Sequence, residues 1–132
     1  MAQKDLFLVI DDEDIVREAI EDILDSVDIQ TVLAANGQEG IDLFIQNQDR
    51  IQGILLDMKM PGLSGADTLN RLREIDPHVP VILSSGYSEE ETRRSIIDQT
   101  SVGFLPKPYN FDTLINKVQE IIDQQKTDDD QD

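Results

Sequence analysis

The sequence predicts an α/β domain: one parallel sheet of five strands with helices on both faces. Three observations predict it. Five short apolar runs, Leu6–Ile10, Ile29–Leu33, Ile51–Leu56, Val79–Leu83 and Val102–Leu105, each have strand length. Between them, apolar residues recur at helical spacing. Strand and helix then alternate five times, the signature of strand–crossover–strand units with right-handed connections.

The first run, "LFLVI", is apolar at every position, as a strand covered on both faces requires. The helix after it carries Ile15, Val16, Ala19, Ile20, Ile23 and Leu24 on one face. The second helix starts after Asn36, a favoured cap, and turns Ile41, Phe44 and Ile45 inward. Ala66, Leu69 and Leu72 mark the third. The fourth opens on Ser88-Glu89-Glu90-Glu91, a capping-box pattern. Its apolar face is thin, mainly Ile96 and Ile97, which makes it the loosest of the five. The fifth presents Phe111, Leu114, Ile115, Val118, Ile121 and Ile122. Residues 1–124 read as one domain and 125–132 as an acidic disordered tail, with four Asp and no apolar side chain from Lys126 onward.

A chain of 132 residues buries enough surface to hold one core without staples. It has no cysteine, which excludes a disulfide scaffold, a thiol nucleophile and a thiolate zinc site. A formal net charge of -17 argues against direct binding to nucleic acid or to an anionic membrane. The apolar runs fall short of the roughly 20 residues that span a bilayer, and the start does not read as a signal peptide. A cytoplasmic location is the expectation.

Chemistry gathers at the strand ends. The first strand runs into Asp11-Asp12, the third ("GILLD") into Asp57, the fourth ("VILSS") into Ser84-Ser85, and the fifth ("GFLPKP") into Lys107. In a parallel sheet these ends share one edge, where ligands bind. Three carboxylates a few ångströms apart repel by about 4 kcal/mol per pair at an effective dielectric of 20. Protonation relieves that repulsion, and so does a hard cation. Oxygen-only ligation with open positions suits Mg²⁺. A nearby lysine point charge suits a phosphoryl group, and a carboxylate beside a metal can act as a nucleophile to form an aspartyl phosphate.

The stretches "FLVIDDED", "GILLDMKMPGLSG", "PVILSSGYS" and "GFLPKPYNFDTL", spanning Phe7 to about Ile122, resemble the receiver domain of two-component response regulators. The resemblance implies a flavodoxin-like doubly wound sheet of order 2-1-3-4-5. It implies Asp57 as phosphoacceptor, Asp12 as a direct Mg²⁺ ligand, Asp11 as an acid acting largely through water, and the backbone carbonyl of Lys59 as a further ligand. Ser85 would be the switch hydroxyl, preferred to Ser84 because the family places a small residue, here Gly86, directly after it. Lys107 would contact the phosphoryl oxygens, with a cis bond to Pro108. Phe104 occupies the aromatic switch position, without the hydroxyl a tyrosine would bring. Lys59 and Tyr87 occupy the positions that bear on phosphate lifetime. The implied partners are a histidine kinase or histidine phosphotransfer protein as donor, and an output partner on the face of helix 4, strand 5 and helix 5. The implied catalysis is limited to the domain's own phosphorylation and autodephosphorylation. "LSSGYS" is similar to receivers attached to hybrid sensor kinases.

Plainer readings compete. Asp11 and Asp12 suit a helix cap, but capping leaves acids at two strand ends unexplained. Asp57 and Ser85 suit turns, Lys107 the surface, and Phe104 a core. His78, in "DPHVP", reads as an exposed loop residue. A small Mg²⁺-dependent phosphatase with an aspartyl nucleophile is the alternative function. Such enzymes place a general-acid Asp two residues after the nucleophile, where this chain has Lys59. A flavin or nucleotide module would carry a Gly- or Ser/Thr-rich loop after the first strand, where this chain has Asp-Asp-Glu-Asp.

Overall fold

Alternate residues of the central strands feed two separate cores, which is why the first strand is apolar throughout and the third and fourth carry apolar runs. In the first strand Leu6, Leu8 and Ile10 face one core, and Phe7 and Val9 the other. The computed structural model describes residues 4–94 and 101–130, with side chains up to residue 124. Its elements are β1 (Leu6–Ile10), α1 (Asp14–Asp25), β2 (Gln30–Ala34), α2 (Gly37–Gln46), β3 (Ile51–Asp57), α3 (Gly65–Ile75), β4 (Val81–Ser85), α4 (Glu89–Arg94), β5 (Val102–Pro106) and α5 (Phe111–Asp130).

The strands form one parallel sheet in the order β2-β1-β3-β4-β5, the doubly wound arrangement expected. Ile20 and Leu24 of α1 and Leu114, Val118 and Ile121 of α5 cover one face. Ile41 and Phe44 of α2 and Leu69 and Leu72 of α3 cover the other. Helix starts follow local chemistry. Asn36 Oδ1 accepts from Glu39 N at 2.8 Å, Ser64 Oγ from Asp67 N at 3.1 Å, and Ser88 Oγ from Glu91 N at 3.2 Å. Each satisfies an amide that the first helical turn leaves open.

The differences from expectation have local causes. β2 begins at Gln30 because Ile29 N still donates to Leu24 O, closing α1 through Asp28 at φ 63°. β4 begins at Val81 because Pro80 has no amide to donate. Ile45, expected inward, is 55% exposed in the last turn of α2. Ile15 is 81% and Phe111 65% exposed, and Ala19 is exposed as well. Helical spacing identifies a face, but not how far the neighbouring elements extend to cover it.

Ile96 and Ile97, the expected apolar face of α4, lie outside the described residues. So do the side chains of the expected acidic tail at 125–132. Among the described residues no helix is long and apolar enough to cross a membrane.

Candidate functional site

The strand ends bring the predicted groups together. Beyond β1, the Asp11 amide donates to Ala34 O at 3.1 Å, which extends the β1–β2 pairing to the acid itself. Asp11 Oδ1 accepts from Glu13 N at 2.9 Å, and Arg17 Nη1 donates to Asp11 O at 2.6 Å. Neither acid caps α1: its N-cap is Glu13, with no side-chain cap bond. At the end of β3, Asp57 Oδ1 accepts from Lys59 N at 3.1 Å. Past β5, Lys107 N donates to Ser85 O at 2.7 Å, and the Lys107–Pro108 peptide is cis.

Gly65 opens α3 against this strand end. A Cβ there would lie 2.4 Å from Met58 Cα and 2.9 Å from Asp57 O, so only glycine lets the helix approach so closely. Gly62, at φ 77°, turns the preceding loop.

Carboxylate oxygens of Asp11, Asp12 and Asp57 lie within 4.8 Å of one another. Asp11 and Asp57 are each 3% exposed, while Asp12 faces solvent. Lys107 Nζ stands 3.4 Å from Asp57 Oδ1 and 3.8 Å from Asp11 Oδ2. One ammonium cannot balance three carboxylates. Burial pushes the Asp57 carboxyl above the ordinary value, and Asp11's charge adds to that; the Lys59 amide and Lys107 pull it down. Burial likewise raises Asp11, against its bond from Glu13 N and the charge of Lys107. Three oxygen donors at this spacing, still short of positive charge, fit a hard divalent cation such as Mg²⁺.

Ser85 is 4% exposed, and its Oγ accepts from Tyr87 N at 3.0 Å. Lys59 and Tyr87, far apart in sequence, line one cleft of about 390 Å³ together with Ser85, Met58 and Thr92. Phe104 is 9% exposed, with the Arg93 guanidinium 4.9 Å above its ring. His78 is exposed, away from these groups.

Two features escape sequence reasoning. Tyr109, directly after Lys107-Pro108, packs toward the α1/α5 core, and its phenol is pushed up to about 12, chiefly by burial and next by the charge of Asp11. The Ser84 hydroxyl is buried and has no hydrogen-bond partner among the described residues. The doublet Ser84-Ser85 was the available signal. The second feature is an apolar groove of about 630 Å³ between α1 and the start of α5, lined by Ile15, Val16, Ile20, Tyr109 and Phe111 and bordered by Lys107.

Comparison with known proteins places these observations. The family model of the response regulator receiver domain matches residues 7–119. The chain is 30% identical over 118 residues to the sensor kinase CckA of Brucella abortus, covering 89% of this chain and 12% of that protein. It is 29% identical over 115 residues to sporulation initiation phosphotransferase F of Bacillus subtilis, covering 87% of this chain and 91% of that one. Among solved structures, the receiver domain of the hybrid histidine kinase CckA superposes with a TM-score of 0.75 at 29% identity, covering 89% and 98% of the two chains. The response regulator TrrA of Thermotoga maritima, solved in complex with Mg²⁺-BeF, gives 0.76 at 28% identity, covering 88% and 97%.

The raised carboxylates carry a stability prediction. A folded-state value above the unfolded one means that stability is full below the ordinary Asp value and falls as pH rises through the raised value. Asp11→Asn or Asp57→Asn therefore raises Tm in metal-free buffer at neutral pH. About 1 kcal/mol of relief corresponds to roughly 2–6 °C for a domain of this size. Calorimetry in EDTA checks it; a lower Tm in both variants would mean that Lys107 already neutralises the cluster.

Proposed function

The chain belongs to the response regulator receiver domain family, and from that premise we propose that it is a phosphoacceptor switch built on Asp57. The carrying observation is the convergence of Asp57, Asp11 and Asp12 within 4.8 Å, with Lys107 Nζ 3.4 Å from Asp57. An Asp57 oxygen attacks the phosphorus of a donor phosphohistidine. A P–O bond forms, the P–N bond breaks, and the imidazole leaves with the electron pair and takes a proton from water. The chain's contribution is positioning and charge. The Lys59 amide fixes one Asp57 oxygen, and the Lys107 ammonium meets the arriving phosphoryl oxygens. Asp12, Asp57 and the Lys59 carbonyl would hold Mg²⁺ directly, with Asp11 acting through water; the ion would neutralise charge on the transferring group. Asp57→Asn abolishes labelling by acetyl phosphate, as does EDTA. Mass spectrometry placing stable phosphate on another residue of the wild type would refute the assignment.

Phosphoryl arrival would draw Ser85 inward, carry the Gly86–Ser88 loop with it, and let Phe104 fill the space behind. The readout face is then α4, β5 and α5, where Arg93 sits over Phe104. The donor has its own surface. The apolar groove beside Lys107 suits an apolar helix, and the exposed Glu13 that lines it favours one with a basic flank. Ile15→Asp slows transfer from a phosphotransfer protein about tenfold, a change of about 1.4 kcal/mol, yet leaves acetyl phosphate labelling intact. Equal slowing of both would point to damage at the site instead.

The acyl phosphate decays when water attacks phosphorus in line and Asp57 leaves as a carboxylate. Lys59 and Tyr87 flank the cleft over the site, and neither is a good acceptor for an attacking water. A long lifetime follows. The double variant Lys59→Asn with Tyr87→Glu decays several-fold faster in excess Mg²⁺, measured by loss of label; an unchanged rate would remove both residues from control of the lifetime.

A further inference from the structure

The turn between β1 and α1 carries two of the three acids, and three bonds hold it. Asp11 N donates to Ala34 O at 3.1 Å, and Glu13 N donates to Asp11 Oδ1 at 2.9 Å. The third bond comes from a side chain: Arg17 Nη1 donates to Asp11 O at 2.6 Å. That carbonyl belongs to the peptide joining Asp11 to Asp12, whose plane sets the direction in which Asp12 leaves the chain. A cap side chain would ordinarily brace such a turn, but Glu13 makes no side-chain cap bond. Arg17 braces it from within the helix instead. The Arg17 side chain is 14% exposed, and its Nη2 pairs with Asp14 Oδ1 on the solvent side. The guanidinium thus forks between a loop carbonyl and an exposed acid, a geometry that its planar, rigid donors allow and a lysine ammonium does not. Among the described ion pairs it takes Asp14 and none of Asp11, Asp12 or Asp57.

We propose that Arg17 is a positioning residue for the metal-binding acids: its guanidinium fixes the Asp11–Asp12 peptide, so that both carboxylates are presented before Mg²⁺ arrives, and Asp14 keeps the guanidinium on the carbonyl and off the carboxylates. The inference rests on the reading of Asp11, Asp12 and Asp57 as the Mg²⁺ site. The two cations at this edge then do different things. Lys107 Nζ, 3.4 Å from Asp57 Oδ1 and 3.8 Å from Asp11 Oδ2, meets the carboxylates themselves. Arg17 meets only the backbone behind them. As a bare charge Arg17 would repel a divalent cation. As an anchor it spares the loop the ordering that binding would otherwise cost. The two effects have opposite signs, so removing the side chain separates them.

The test uses the full chain and Mg²⁺ alone, without a phosphodonor. Arg17→Met keeps an apolar stem and removes both donors and the charge. Titration calorimetry finds its Mg²⁺ affinity roughly tenfold weaker, the low end of what an outer partner of a metal ligand contributes. Arg17→Lys, which keeps the charge and one donor group, falls between the Met variant and the wild type. Asp14→Ala weakens binding by a smaller factor, as an exposed ion pair should, and has no further effect in the Arg17→Met background. Labelling by acetyl phosphate slows in Arg17→Met at limiting Mg²⁺ and recovers the wild-type rate at saturating Mg²⁺. A merely structural brace gives another pattern: a lower Tm in EDTA with Mg²⁺ affinity unchanged. That pattern, or tighter Mg²⁺ binding in Arg17→Met, would overturn the proposal. A second measurement needs no variant. In the wild type the Arg17 guanidinium protons exchange with solvent more slowly in saturating Mg²⁺ than in EDTA, because ion and guanidinium order one loop; equal exchange in both would overturn it too. A wild type that binds no Mg²⁺ would refute the metal reading and the proposal with it, whereas wild-type binding beside an unaffected Met variant removes only Arg17.

Discussion

The constraint on which the rest depends is repulsion between acids that the sheet does not allow to separate. Asp11 is tied to Ala34 O at the end of the β1–β2 pairing, and Asp57 closes β3 opposite Ser84. Neither can retreat without breaking register, and a one-residue slip would turn each strand inside out between its two cores. The apolar strands are thus the counterpart of the acidic site. Phe7, Leu8, Val9 and Ile10 are fully buried, as are Ile54 and Leu56, and this packing holds the carboxylates in place against their charge. Lys107 is the only cation the sheet edge supplies to them among the described ion pairs, and at 3.4 and 3.8 Å from two acids it leaves the cluster short of positive charge. A fold that spends stability in this way needs that edge to be electron-rich.

Both the alternation and the site were legible in the sequence because they rest on chemistry one residue wide. A uniformly apolar run means coverage on both faces, and an acid at its end must lie at the sheet edge. Asn36 and Ser88 announce helix starts through a bond to an amide three residues on. What stayed hidden depends on neighbours distant in the chain. Ile15 and Ile45 repeat with helical spacing yet stand exposed, because among the described residues no other element covers them. Tyr109 resembles an ordinary residue after a proline until α1 and α5 enclose it. Arg93 is one of several charges in a helix until its guanidinium lies over Phe104.

The two faces of the sheet thereby receive different information from one event. Ser85 belongs to the side of Phe104 and Arg93, where a change in hydroxyl position can be passed to α4 through the loop whose Tyr87 amide it accepts. Ser84 belongs to the side of Tyr109, where the groove lies. A single serine at the end of β4 could speak to only one of these layers. The doublet, at adjacent positions of one strand, reaches both.

This division also separates what comes to the site. The groove between α1 and α5 is apolar and borders Lys107, so it suits a protein surface that desolvates on contact. The cleft lined by Lys59, Tyr87 and Ser85 lies on the far side, between the loops that follow β3 and β4. It is smaller and more polar, and it suits water. Displacement at phosphorus requires the entering and leaving atoms to lie roughly in line, so the atom opposite Asp57 decides the outcome. In the proposed transfer that atom would be the donor's nitrogen; in decay it would be a water oxygen. Both use the same axis at the phosphorus, but the surfaces that hold them there are different. On the proposed function, changes to the groove would act on which donor is accepted, and changes to the cleft on how long the product lasts. The two proposed properties could then vary separately on one set of acids, because the sheet edge would fix the axis and the loops on either side would decide what enters it.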